Sequence, residues 1–209
     1  LAAAARERGA TLIHISTDYV FDGRAHTPYT EQAPTAPLSV YGRTKLAGEK
    51  AIAEAGCAAL ILRTAWLYSE FGNNFVKTML RLTAQTPRVK VVFDQAGTPT
   101  YAADLAGAIH RMISSGAYRG NEGTYHFSNE GVCSWYDFAH EIAVLAGLDP
   151  ARVIPCHSEE FPSPVERPRY SVLDKTKIKE TFNLTIPYWR DALERCLERL
   201  GAQTAGTAI

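Results

Sequence analysis

Two spacings of apolar residues alternate along this chain. Residues 11–16 (Thr-Leu-Ile-His-Ile-Ser) and 58–63 are short, mainly apolar runs that read as buried parallel strands, and residues 89–93 and 124–128 read as further strands. Between them apolar side chains recur at helical intervals. Residues 40–54 lack proline and carry Leu46, Ala47, Ala51 and Ile52 on one face, which predicts a helix ending near Gly56. Further helices are predicted from Gly72-Asn73-Asn74-Phe75 to about Thr83, over 102–114, and from the cap Ser134 through Ala146 with Phe138, Ile142 and Leu145 inward. Another starts at Asp174, and residues 188–200 form an amphipathic one. The first eight residues read as the end of a helix stopped by Gly9.

The intervening segments carry turn residues. Residues 19–38 hold Asp22-Gly23 and three prolines and read as a loop long enough to wall a binding site. Residues 95–100 are expected as a turn, residues 153–165 as irregular structure, and the tail after Gly201 as frayed.

Chemistry is expected where the first strand ends, because open α/β sheets bind ligands at the carboxyl ends of their strands. Ser16-Thr17-Asp18 stands at that end, and Tyr41 and Lys45 lie one turn apart on one face of the following helix. A free tyrosine, with a pKa near 10, is a poor proton donor or acceptor at neutral pH, and a neighbouring ammonium favours its phenolate. With a hydroxyl from Thr17, such a pair could protonate the oxygen formed when a hydride reaches a carbonyl carbon.

Composition narrows the partners. Of 209 residues, Lys plus Arg (22) equal Asp plus Glu (22), so bulk charge points to no nucleic acid or acidic membrane. Cys57, Cys133, Cys156 and Cys196 form no Cys-x-x-Cys pair, which fits reduced thiols in the cytoplasm. The histidines show no ligand spacing, so no catalytic metal is expected, and no apolar run is long enough to span a membrane.

Longer motifs then become recognisable: Ser16-Thr17-Asp18-Tyr19-Val20-Phe21-Asp22-Gly23, Tyr41-Gly42-Arg43-Thr44-Lys45, Arg63-Thr64-Ala65-Trp66, Gly72-Asn73-Asn74-Phe75, Asp94-Gln95-Ala96-Gly97-Thr98-Pro99-Thr100 and Arg167-Pro168-Arg169-Tyr170. Together they closely resemble the dTDP-4-dehydrorhamnose reductase family of extended short-chain dehydrogenases. The resemblance implies the C-terminal portion of a Rossmann-like doubly wound parallel sheet with a small α/β substrate-binding lobe. No Gly-x-Gly-x-x-Gly turn is present, so the chain is expected to begin in the helix before the fifth strand of that fold. Residues 1–150 would be a partial NAD(P)-binding domain with interleaved lobe segments, and residues 151–209 mainly the lobe and a C-terminal helix.

The same resemblance implies catalytic Thr17, Tyr41 and Lys45, and a cofactor, NADPH or NADH, held by Ser16, Tyr41, Lys45 and Thr64. It implies a dTDP-sugar held by Thr17, Asp18, Trp66, Asn74 and Arg167. For Trp66, stacking on a sugar supplies a physical reason. A homodimer, and a structural magnesium ion as in some relatives, are further implications. Two alternatives stay open. In dehydratases of similar fold a second carboxylate follows the Thr-Asp pair, where this chain has Tyr19, which disfavours dehydration and excludes epimerisation less firmly. The regulatory subunit of methionine adenosyltransferase is similar too, and acts by binding a partner.

Overall fold

The computed structural model describes residues 1–161 and 167–206, with side chains through 201. Helix α1 (Ala2–Glu7) and strand β1 (Leu12–Thr17) are followed by a single 3-10 turn, Asp18–Val20, and a long loop. Next come α2 (Val40–Ala55), β2 (Ala59–Thr64), β3 (Leu67–Tyr68), α3 (Phe75–Gln85), β4 (Val89–Val92), β5 (Ala96–Gly97) and β6 (Thr100–Tyr101). The chain continues through α4 (Ala102–Ser114), β7 (Gly123–His126), β8 (Cys133–Ser134), α5 (Trp135–Leu145), β9 (Val153–Cys156), α6 (Thr176–Phe182) and α7 (Trp189–Gly206).

The main sheet has the order β1-β2-β7, all parallel. Its strands alternate faces: Leu60 and Leu62 pack on Leu105 and Met112 of α4 and Ile178 and Phe182 of α6, whereas Ala59 and Ile61 pack with Ile52 of α2. In the β1–β2 ladder Thr17 stands opposite Thr64, so Asp18 and Ala65-Trp66 leave the sheet at the same edge. That register builds the site. A second core lies among α3, α5 and α7, where Met79, Phe138, Ile142 and Leu193 pack against Val91 of β4 and Val153 of β9.

Local signals explain the helix bounds. Ser39 Oγ accepts from Gly42 N–H at 3.0 Å to open α2, and Gly56 closes it in the left-handed conformation. The Asn74 side chain caps α3 by accepting from Lys77 N–H, and Ser134 with Asp137 forms a capping box on α5. Among the described residues no helix is long and apolar enough to cross a membrane.

Three expectations are corrected. Residues 95–100 are more than a turn: β5 pairs with β8 antiparallel and β6 with β3 parallel, because the segment is largely buried and its backbone groups need partners. Residues 153–156 form β9 beside β4; Pro155 is tolerated there because this two-stranded ribbon leaves it on an edge. Residues 162–165 of the stretch expected to be irregular lie outside the described residues. The C-terminal helix continues to Gly206 where a frayed tail was expected after Gly201, and residues 207–209 are likewise outside.

Candidate active site

At the end of β1 three polar side chains are buried, and their partners assign them different tasks. Ser16 Oγ donates to Glu49 Oε1 on α2. Glu49 is also gripped by Arg63 of β2, with Nε at 3.0 Å and Nη2 at 2.7 Å, the side chains being only 6% and 7% exposed. The Arg63 guanidinium also lies over the Phe21 ring, 5.2 Å from its centroid. This network pins the middle of α2 to two of the sheet's three strands, β1 and β2.

Thr17 Oγ1 donates to Asp18 Oδ1 at 2.9 Å and accepts from Tyr19 N–H at 3.3 Å, so its hydroxyl is fixed at the strand end. Burial pushes the Asp18 carboxyl up to about 7, against the hydrogen bond from Thr17 that favours its charged form. Its Oδ2 is buried without a hydrogen-bond partner among the described residues. Burial, and then the Asp18 charge, also push the Tyr19 phenol up, while Arg167 pulls it down.

Helix α2 brings Tyr41 and Lys45 to this edge. Lys45 Nζ donates to the carbonyl of Ile15, two residues before Thr17, which leaves two of its three N–H donors for another partner. Tyr41 is 53% exposed and meets the edge of the Tyr19 ring, with centroids 5.6 Å apart. The helix approaches the 3-10 turn closely at Gly42, where an added Cβ would stand 2.1 Å from the Tyr19 carbonyl oxygen. Only glycine fits that contact. Thr17, Asp18, Tyr41 and Lys45 are thus gathered around one corner of the sheet.

The other expected residues are placed as follows. The Thr64 hydroxyl, opposite Thr17 in the ladder, donates to Thr100 Oγ1 at 3.2 Å. Trp66 stacks on Trp135, and Phe75 packs against Trp135 next to the cap Asn74, whose amide donates to Ser69 O at 2.7 Å. Ser16, Thr64 and Asn74 therefore spend side-chain groups inside the protein. Arg167 is exposed and borders two cavities. One, of about 890 Å³, is lined by Arg24, His26, Arg167 and Arg169 among others. The other, of about 480 Å³, is largely apolar, with Phe75, Met79, Val91 and Trp135 in its wall.

Glu49, Trp135 and Gly97 carry no role in the sequence reading. Glu49, four residues beyond Lys45, carried a faint signal: a carboxylate on a helix face that must meet a sheet needs a cation. Among the described residues no group of three or more His, Cys, Asp or Glu side chains could hold a metal ion.

A parallel sheet whose first strand ends at a buried threonine, beside a helix bearing Tyr-x-x-x-Lys, is the arrangement that the resemblance to extended short-chain dehydrogenases implies. A family model described as "RmlD substrate binding domain" matches residues 1–202. The chain belongs to that family. It is 39% identical over 217 residues to a dTDP-4-dehydrorhamnose reductase of Burkholderia thailandensis, covering 97% of this chain and 72% of that protein. It is 46% identical over 182 residues to a probable dTDP-4,6-dihydroxy-2-methyloxan-3-one 4-ketoreductase of Streptomyces antibioticus, covering 87% of this chain but 61% of that one. A crystal structure of dTDP-4-dehydrorhamnose reductase from Bacillus anthracis in complex with NADP superimposes with a TM-score of 0.89 at 41% identity, over 95% of this chain and 69% of that one. The chain thus spans about two thirds of the length of these relatives.

Proposed function

We propose that this chain supplies the proton-donating and substrate-facing side chains for NAD(P)H-dependent reduction of dTDP-4-dehydro-L-rhamnose to dTDP-L-rhamnose. What supports the reading is that Lys45 Nζ bonds the Ile15 carbonyl, the Tyr41 ring meets Tyr19 and Thr17 ends β1, all at the carboxyl edge of that strand. The donor set fits the nicotinamide end of the cofactor: an ammonium with two free N–H groups suits ribose hydroxyls, and a half-exposed phenol stands beside it. When bound, the reduced nicotinamide supplies the hydride.

The residues divide the remaining work. Thr17, whose single hydroxyl proton goes to Asp18 Oδ1 in the free site, turns that proton to the carbonyl oxygen of the sugar when the substrate binds. Tyr41 donates its phenolic proton to that oxygen as the alcohol forms, and Lys45 steadies the charge left on the phenol. Arg167, bordering both cavities, suits a diphosphate, and the apolar cavity suits a base. In this reading the three-stranded sheet faces the cofactor and the two-stranded ribbons carry the substrate side, a division that cuts across residue 150. The cytoplasm and a homodimeric state belong to the same reading.

The similarity to the Streptomyces antibioticus ketoreductase favours one second reading, a different dTDP-4-keto sugar as substrate. The assay is oxidation of NADPH by the full-length protein, followed by absorbance, with several dTDP-4-keto sugars. The highest kcat/KM with dTDP-4-dehydro-L-rhamnose supports the first reading, a higher value with another sugar supports the second, and turnover of none refutes both.

A further inference from the structure

The backbone of Trp66 adopts φ 48°, in the left-handed region that bulky L side chains rarely occupy. Such strain persists where the surroundings over-determine it. Here they do so from two sides. The indole of Trp66 is stacked on that of Trp135, with centroids 3.6 Å apart and planes 11° from parallel. Between the Trp66 ring and the Ser171 hydroxyl lies Gly97 of β5, where an added Cβ would stand 2.6 Å from Ser171 Oγ, 2.6 Å from Trp66 Cε2 and 2.7 Å from Cζ2. Gly97 has an ordinary φ, so its lack of a side chain serves space rather than backbone freedom. Trp135 is in turn braced by Phe75, 4.5 Å away, and borders the apolar cavity.

We propose that Trp135 is a positioning residue that, with Gly97, clamps Trp66 in its strained conformation and so sets the wall that the sugar ring meets. The proposal rests on the reading of Trp66 as a substrate-facing residue. The clamp joins three parts of the chain, the end of β2, strand β5 and the first residue of α5, so the indole cannot turn without moving one of them. Trp135 acts on the sugar only through Trp66 but also borders the apolar cavity given above to the base, so Gly97→Ala, at a residue that does not line that cavity, isolates the clamp. Removal of Trp135 should therefore weaken substrate binding more than it slows the proton and hydride transfers at the other end of the site.

The test uses the full-length protein and its Trp135→Phe, Trp135→Leu, Gly97→Ala and Trp66→Phe variants. Two stacked indoles couple their electronic transitions, so the wild type should show a Trp–Trp couplet in circular dichroism. Trp66→Phe and both Trp135 variants should lose it, and Gly97→Ala should weaken it. In steady-state kinetics Trp135→Leu and Gly97→Ala should raise KM about tenfold and leave kcat within about threefold, as expected for losing an aromatic stack. Trp135→Phe, which can still stack, should restore KM to within about threefold of wild type. A merely structural Trp135 would lower the melting temperature in both variants and leave KM alone. Absence of the couplet in the wild type, or an unchanged KM in folded Trp135→Leu or Gly97→Ala protein, overturns the proposal. If the wild type turns over no dTDP-4-keto sugar, the substrate reading fails by itself, while the couplet and its weakening in Gly97→Ala still decide whether the clamp exists.

Discussion

Removing the Glu49 carboxylate should destabilise the protein far more than an ordinary helix substitution. Glu49 accepts two hydrogen bonds from Arg63 and one from Ser16 in a site almost closed to water. Glu49→Ala leaves the guanidinium buried without its counter-ion, a loss worth about 3–5 kcal/mol. The Ser16 hydroxyl loses its acceptor as well, adding about 1 kcal/mol. Stacking of Arg63 on Phe21 survives and offsets little of this. For a chain of this size each kcal/mol moves the midpoint by about 2–4 °C, so the combined loss of about 4–6 kcal/mol should lower Tm by roughly 8–24 °C. Thermal unfolding followed by circular dichroism at pH 7 measures it. Glu49→Leu combined with Arg63→Met should recover much of the loss, because an apolar pair carries no desolvated charge. A fall of under about 3 °C for Glu49→Ala, or a double variant whose loss equals the sum of the two single losses, would refute the reasoning.

Other outcomes follow from the same geometry. Gly42→Ala should cost about 1–3 kcal/mol by forcing α2 away from the Tyr19 carbonyl, read as a lower urea midpoint; an unchanged midpoint would contradict the close approach. Burial raises the Asp18 carboxyl from its ordinary value to about 7, so its contribution to stability is complete below about pH 4 and is lost as pH rises through 7. Asp18→Asn should therefore melt higher than wild type at pH 8, by an amount that shrinks towards pH 4, and a difference independent of pH would count against it.

The sequence exposed what local chemistry controls. Helices α3 and α5 were legible because Asn74 and Ser134 cap them, and α4 was expected from Ala102 to about Ser114 after the turn at Pro99. Tyr41 and Lys45 were legible because a four-residue interval on a helix fixes a shared face. Two-residue strands such as β5 and β6 have no period to read, and Pro155 masked β9. The Glu49–Arg63 pair and the Trp66–Trp135 stack were invisible for another reason. Each joins residues from separate elements, and only the packing of those elements reveals that they meet.

The central claim is that the phenol of Tyr41 serves the chemical step. The most direct measurement is single-turnover reduction of dTDP-4-dehydro-L-rhamnose by the full-length protein with NADPH, comparing wild type with Tyr41→Phe. The account predicts a rate lower by about 100-fold or more with substrate affinity nearly unchanged. A variant that reduces the sugar at the wild-type rate would contradict it.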